Sequence, residues 1–414
     1  MLLTWWVLQE GTFFMAPRYH FLLFGWVYLL QGVILAYLFN FQKPYLQNSG
    51  FSLEQIAAIS SILVLPFVLK VAFGYLSDRY SFFGWGHRKP YIFIGLAVCA
   101  LGFVIHSFLP PAQYGYYSIA FVFFAVMGMA LFDTAVDGLA IELNRDDKLY
   151  GRIQSAMISG RALGIILGSV LFGASIDGLG YRGLQLQVAA ILLVSLPLVR
   201  FFEETEGPQQ RLDVSRSVLL ESIQFLRKPE FLLVSAYLFL SLICSYGISG
   251  LITLYGKTSL SLPASAFGTL GGLKGAGQMV GALFVGYFIA KSRSYAMAIF
   301  AVLALAVMSA LLGIASSQAE LNALTAAWGV TRGMHHTLLS VVSMSLIPPG
   351  AGATLFALLM LLSNVAIMVT EGMSTALLTV LSYESVFAVL SAFSAASALV
   401  LWLSRRYLKP KVGG

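Results

Sequence analysis

The chain has 414 residues, 58% of them hydrophobic and 10% charged, with 25 Lys and Arg against 18 Asp and Glu and a net charge of +7. Soluble domains carry about 25% charged residues, so a water-facing surface for this length cannot be assembled, which excludes a soluble enzyme, a nucleic-acid-binding domain and a disordered chain. Spans of about 20 residues allow about a dozen transmembrane helices and little extramembrane mass.

In chain order, the N-terminus opens on the apolar Trp5-Trp6-Val7-Leu8 patch, without the basic region of a signal peptide. Targeting is therefore expected from the first true span. Apolar windows bounded by charges or turn residues predict twelve spans: 20–42, 53–77, 90–110, 116–143, 151–176, 182–202, 230–256, 264–290, 295–315, 320–346, 351–378 and 383–404. Only the connection over 203–228, with Glu203, Glu204, Glu206, Pro208, Arg211 and Arg216, is long and polar. It separates the spans six and six. The expectation is an all-α membrane protein of two six-helix pseudo-repeats: a bundle over 1–202, a linker over 203–228 and a second bundle over 229–414.

Orientation follows from the basic residues. With a cytoplasmic N-terminus, the inside segments hold 18 of the 25 Lys and Arg, and the outside loops hold three, Lys43, Arg182 and Lys257. That asymmetry predicts cytoplasmic termini and a cytoplasmic linker, in a cell (inner) membrane. It accounts for the positive charge through dispersed loops, so no nucleic-acid partner is expected. Cys99 and Cys244 each sit in an apolar run without Cys-x-x-Cys spacing, which supports neither a metal site nor a disulfide framework.

Span 2 ends in Gly74-Tyr-Leu-Ser-Asp78-Arg79-Tyr80, and span 3 opens with Gly84-Trp-Gly-His87-Arg88-Lys89-Pro90. This is similar to the G-x-L-x-D-R…G-R-R motif of the major facilitator superfamily, stretched by a few residues. A carboxylate at a helix end interacts favourably with a neighbouring helix N-terminus, and basic residues beside it pair with acids or lipid phosphates. The resemblance implies a gating patch of Gly74, Asp78, Arg79, Arg88 and Lys89 that latches the two halves; the plainer alternative is an ordinary basic loop. Over about residues 60–205 the chain resembles the folate–biopterin transporter family more closely. The similarity rests on Leu65-Pro66-Phe-Val-Leu-Lys70, His87-Arg88-Lys89-Pro90-Tyr91, Asp133-Thr-Ala-Val-Asp137-Gly-Leu-Ala-Ile-Glu142 and Ser159-Gly160-Arg161-Ala162-Leu163-Gly164. His87 departs from the aromatic or basic residue usual there. Muropeptide permeases and sugar:cation symporters share parts of these patterns.

Ionisable residues inside spans are costly and mark functional positions by default. Seven stand out: Lys70, Asp133, Asp137, Arg161, Lys274, Arg332 and Glu371. Asp133 and Asp137, four apart, share one helix face. Asp133 lies 14 residues before Asp147, near the centre of the span 4–5 turn, and Arg161 lies 14 after it, so the two are at equal depth on antiparallel helices. Lys70 is expected at the depth of Asp137, giving one network in the first half that either moves a proton or holds helices in register. In the second half Lys274 and Glu371 share a depth and are candidates to pair or to flank the cavity. Arg332 precedes His335 and His336 by three and four residues, so a histidine shares its face and is a candidate proton relay.

Four of the seven are cationic, a surplus that suits an anionic solute. Gln31, Gln278 and Asn364 add hydrogen-bonding capacity, and Tyr246, Tyr255 and Trp328 are candidates to stack on a flat ring. Gly160, Gly164 and Gly168, and the glycines of 268–281, predict close helix approach. No phosphate-binding loop, nucleophile elbow, metal-ligand set or cofactor motif is present. The expectation is a secondary transporter, not an enzyme, working by alternating access between two rocking halves with protons as coupling ion (symport). Its substrate would be a small organic anion, which the resemblance makes folate- or pterin-like. A muropeptide or sugar permease and a non-transporting scaffold for pigment-complex assembly are the alternatives.

Overall fold

A computed structural model describes residues 17–142, 147–201, 227–289, 294–345 and 352–406. The N-terminal tryptophan patch and most of the expected linker lie outside them. Twelve membrane-length segments, α1–α12, follow the predicted spans. They are α1 (from Pro17), α2 (Leu53–Arg79), α3 (Lys89–Phe108), α4 (Tyr116–Glu142), α5 and α6 (147–179 and 181–201), α7 (Pro229–Thr258), α8 (Ala264–Ile289), α9 (Ser294–Leu312), α10 (Gln318–Ser345), α11 (Gly352–Ala376) and α12 (Tyr383–Leu403). By composition alone nine helices among the described residues qualify as membrane spans, and one of these, Ser155–Arg200, has 46 residues, enough for two crossings. The reversal between α5 and α6 is made at Gly180, whose φ of 62° is a conformation glycine adopts without a Cβ clash.

Two helices depart from a simple rod. The first span, expected to end at residue 42, continues through a π-helical turn, Leu38–Gln42, into Lys43–Asn48. Pro44 sits in the first turn of that last piece, where its missing N–H costs no hydrogen bond. Lys43 is therefore not an outer-loop cation: it is buried at 5% exposure. In α2, Pro66 removes an N–H from the ladder, the helix breaks at Leu69, and Lys70 opens the second piece. The start of α2 is held by a capping box in which Ser52 Oγ accepts from the Gln55 N–H and Gln55 Oε1 accepts from the Ser52 N–H.

One apolar core lies among α1, α3, α4, α5 and α6, around Phe24, Tyr37, Phe103 and Phe172. Two others lie in the second half, around Tyr237 and Val302 and around Trp328 and Phe387. Val71, Val170, Val194, Leu283 and Phe300, all more than half exposed, face outward, as suits helices whose other faces meet lipid. Glycines set the helix spacing. A methyl on Gly160 or Gly164 would fall on the carbonyl oxygen of Gly25 or Leu29 in α1, and one on Gly281 on that of Val330 in α10. Such close approach substitutes for the hydrophobic force that lipid does not supply between helices.

Polar links join the halves from one end, that of Lys257 and Pro44, to the middle of the helices. Lys257 donates to the Pro44 carbonyl at 3.1 Å, Ser61 Oγ to that of Met368 at 2.9 Å and Asn364 Nδ2 to that of Phe67 at 2.9 Å. Gly173 of α5 lies directly against Gly268 of α8. We call the end of Lys257 and Pro44 the closed end; the opposite end, with Arg79, Arg88, Arg200 and Arg405, is the basic end. Replacing Gly164 by alanine is expected to force α1 and α5 apart and cost about 1–3 kcal/mol. A lower thermal midpoint of the detergent-solubilised variant is the measurement, and an unchanged midpoint would contradict the packing described.

Candidate functional site

In the first half, α2, α4, α5 and α1 bring the four predicted residues together. Lys70 Nζ donates to Asp133 Oδ2 at 2.6 Å and Asp137 Oδ2 at 2.9 Å. The break at Leu69 is what places Lys70 on the face of α4 that carries both carboxylates. Asp133 is buried at 4% exposure, and its Oδ1, without a hydrogen-bond partner, faces the Arg161 guanidinium at 4.0 Å. Arg161 Nε donates to Gln31 Oε1 at 2.7 Å, and its guanidinium lies 4.8 Å from the Tyr28 ring centre. The Tyr28 hydroxyl donates to Asp137 Oδ1. Two cations and two carboxylates make this network neutral. The side chains of Asp137 and Arg161 are nevertheless 38% and 41% exposed, which marks a gap beside them inside the bundle.

The second half answers across that gap. Arg332 Nε donates to Ser245 Oγ at 3.0 Å and Nη1 to Gln278 Oε1 at 2.8 Å, and its guanidinium lies 5.0 Å from the Tyr246 ring centre. His336 Nε2 shares Ser245 Oγ at 2.7 Å. His336 therefore occupies the place beside Arg332. His335 packs in the core against the Tyr237 ring, with neither ring nitrogen hydrogen-bonded. Tyr246 touches Phe39 of α1 at a ring distance of 6.3 Å, and both Tyr246 and His336 lie within electrostatic range of Arg161. Of the three aromatic candidates only Tyr246 borders the gap. Trp328 is fully buried with Nε1 on Ser309, and the Tyr255 hydroxyl donates to the Ala315 carbonyl.

Lys274 and Glu371 do not pair. Lys274 Nζ donates to Asn40 Oδ1 at 2.9 Å and the Ser249 carbonyl at 3.2 Å, both neutral. Glu371 instead meets Lys43, whose Nζ lies 2.8 Å from its Oε2 and donates to Thr375 Oγ1 at 3.1 Å. This ion pair joins α1 to α11 with both side chains at 6% exposure. Sequence reasoning missed Lys43 because Pro44 reads as a turn; the apolar run continuing through Tyr45 and Leu46 was the available signal. Asn40, inside the π turn, was also missed. It is fixed by Ala36 and Ser169 and presents its oxygen to Lys274.

The motif at the basic end is rearranged relative to expectation. Asp78 pairs with Arg88, which also donates to Ser77 Oγ at 2.5 Å and fills the space over Gly138 of α4. Arg79 turns outward to the Tyr75 hydroxyl. Lys89 and Arg200 both lie over Trp85, at 5.6 and 4.5 Å from its ring centre. Gly74 passes Thr134 at a distance that an alanine would tolerate. Among the described residues, the patch ties α2, α3 and α4 of one half together.

A shallow apolar groove of about 500 Å³ between α5 and α8, lined by Ile166, Val170, Gly173, Gly268 and Leu273 among others, carries none of these charges. Two charged clusters face each other elsewhere, between sets of helices.

Twelve membrane-length helices that enclose charges between two sets of inner faces define a multi-pass membrane transporter rather than an enzyme. The sequence matches the model of the Major Facilitator Superfamily over residues 21–371, and the chain belongs to that superfamily. A relative, the folate-biopterin transporter of Synechocystis sp. (strain ATCC 27184 / PCC 6803 / Kazusa), is 27% identical over 213 residues, covering 48% of this chain and 41% of that protein. The match thus spans less than half of the relative's length. Among solved structures, the nucleoside transporter NupG (D323A mutant) superposes with a TM-score of 0.74 at 12% identity, covering 93% of this chain and 99% of that one. A bacterial homolog of the human lysosomal transporter Spinster, solved inward-facing and unoccupied, gives 0.65 at 13% identity, covering 96% and 97%. At these identities the likeness concerns the fold.

The buried ion pair makes a direct prediction. Lys43→Gln leaves Glu371 uncompensated and is expected to cost about 3–5 kcal/mol, whereas the double variant Lys43→Gln/Glu371→Gln recovers most of the loss. Thermal midpoints of the two variants and the parent check it; additive losses would show that the pair does not act as a unit.

Proposed function

We propose that this transporter carries a small organic anion of folate or pterin type, coupled to protons, by alternating access of two six-helix halves. The observation that carries the reading is a charge imbalance. Five buried or half-buried cations, Lys43, Lys70, Arg161, Lys274 and Arg332, accompany three carboxylates, Asp133, Asp137 and Glu371. The network of Lys70, Arg161, Asp133 and Asp137 balances, and Lys43 pairs with Glu371 across the halves; the surplus belongs to Arg332 and Lys274, whose hydrogen-bond partners are neutral oxygens. A cation in an apolar setting is costly without a counter-charge, and a solute carboxylate entering the gap supplies it. Arg332 offers a planar donor fork, which suits a carboxylate or phosphate.

Tyr246, beneath Arg332 and against Phe39 of α1, gives a flat solute an aromatic surface beside the gap. The partial likeness to a folate-biopterin transporter points the same way. For proton coupling, Asp137 is the most accessible of three ion-paired carboxylates, with its side chain 38% exposed against 5% for Asp133 and 6% for Glu371. The closed end would face outward and the basic end the cytoplasm, following the distribution of Lys and Arg.

Proteoliposome uptake tests the proposal. Labelled folate should enter down an imposed proton gradient, and saturable glycoside uptake without folate uptake would overturn it. Arg161→Ala and Arg332→Gln are expected to lower uptake at least about tenfold at undiminished protein level, a loss of about 1.4 kcal/mol or more of solute interaction. Asp137→Asn should abolish the proton dependence of uptake; retained dependence would assign Asp137 to holding Lys70 and Tyr28 in place.

A further inference from the structure

The closed end holds more polar capacity than its ion pair uses. Lys43 and Lys274 enter from α1 and α8, with Glu371 the carboxylate between the halves, and Lys274 lies within electrostatic range of both other residues. Around them are enclosed polar atoms without a protein partner: Ser249 Oγ and Thr253 Oγ1 on α7, Ser374 Oγ on α11, the Gln42 amide on α1, and Glu371 Oε1 itself. Ser249, Thr253 and Ser374 have no solvent exposure. Buried hydroxyls and amides are hydrogen-bonded in the great majority of cases, so such a group of orphans calls for a partner. Gly250 of α7 leaves the room: a methyl there would stand 2.7 Å from Lys43 Nζ and 3.0 Å from Glu371 Oε2.

We infer that the closed end contains a second anion-binding site, built on Lys43, Lys274 and the Ser249 and Thr253 hydroxyls, which takes a carboxylate of the transported solute and which Glu371 fills in the closed state. Glu371 acts there as a tethered carboxylate. When the halves separate at this end, Lys43 and Lys274 are left facing the entrance, and an arriving carboxylate replaces the side chain that α11 withdraws. The arriving group accepts one hydrogen bond from Lys43 Nζ, and the orphan hydroxyls supply the donors that Glu371 leaves unused. Lys43 lies three residues beyond Asn40 along α1 toward the closed end, so a solute entering there meets Lys43 first. This inference rests on the reading that the solute is an anion.

Acetate is the probe, with chloride as control at constant ionic strength, and binding is read as the concentration-dependent rise in thermal midpoint of the purified protein. Removing the competitor in Glu371→Gln should tighten apparent acetate binding about tenfold relative to the parent, and Lys274→Gln/Glu371→Gln should lose it. Equal acetate affinity in all three proteins, or chloride matching acetate, overturns the site. If Glu371→Gln does not fold, Lys274→Gln in the parent background carries the test: acetate binding must weaken, and unchanged binding refutes the inference. Failure here with folate uptake still lost in Arg332→Gln would remove the second site and leave the anion reading standing. Loss of acetate binding in Lys274→Gln without any folate uptake by the parent would do the reverse.

Discussion

A charge inside a bilayer must be matched by another charge or by converging dipoles, because hydrocarbon offers it nothing. The two halves of this transporter meet that constraint differently. In the first, Lys70 and Arg161 are matched by Asp133 and Asp137, with Tyr28 donating to Asp137 and Gln31 accepting from Arg161. In the second, Arg332 and Lys274 are surrounded by neutral oxygens, and the carboxylate nearby is engaged by a lysine from the other half. The network of the first half is neutral, and the cations of the second half that lack a carboxylate stand where the two halves face each other.

These arrangements depend on helices close enough for side chains to reach. Arg161 reaches Gln31 and Tyr28 because Gly160 and Gly164 let α5 lie against the backbone of α1, and Arg332 reaches Gln278 because Gly277, Gly281, Gly329 and Gly333 do the same for α8 and α10. Where glycines meet across the halves, at Gly173 and Gly268, closeness has another use. Smooth surfaces without interlocking side chains can separate and return without repacking, which suits a contact that must open in each cycle.

The helices and their order were legible in the sequence because twelve apolar windows separated by charged turns leave little choice of fold. The first-half network was legible for a geometric reason: Asp133 and Arg161 flank a turn at equal spacing, and a four-residue separation puts Asp137 beside Asp133. What could not be read was any contact that depends on how one half sits on the other. Nothing in the local sequence joins residue 43 to residue 371, and the proline after Lys43 argued for a loop. The histidines show a finer limit. Positions 335 and 336 both fall near Arg332 on a helical wheel, and only the packing of α7, which offers Ser245 to one and Tyr237 to the other, decides between them. The Asp78 motif was legible as a motif, but its pairing with Arg88 instead of a role for Arg79 depends on the path of the connecting loop.

The π-helical turn in α1 gives the chain one residue more than an α-helix needs over Leu38–Gln42. That extra residue sets the phase of everything after it, including Asn40 within it and Lys43 just beyond. Relaxing the turn to α geometry would rotate the following segment by about 100° and carry Lys43 off Glu371 while the body of α1 stayed packed against α5. The first helix thus contains a screw joint, with its thread held by Lys43 on Glu371 and by Lys257 on Pro44, and its axis anchored by glycines about two turns away.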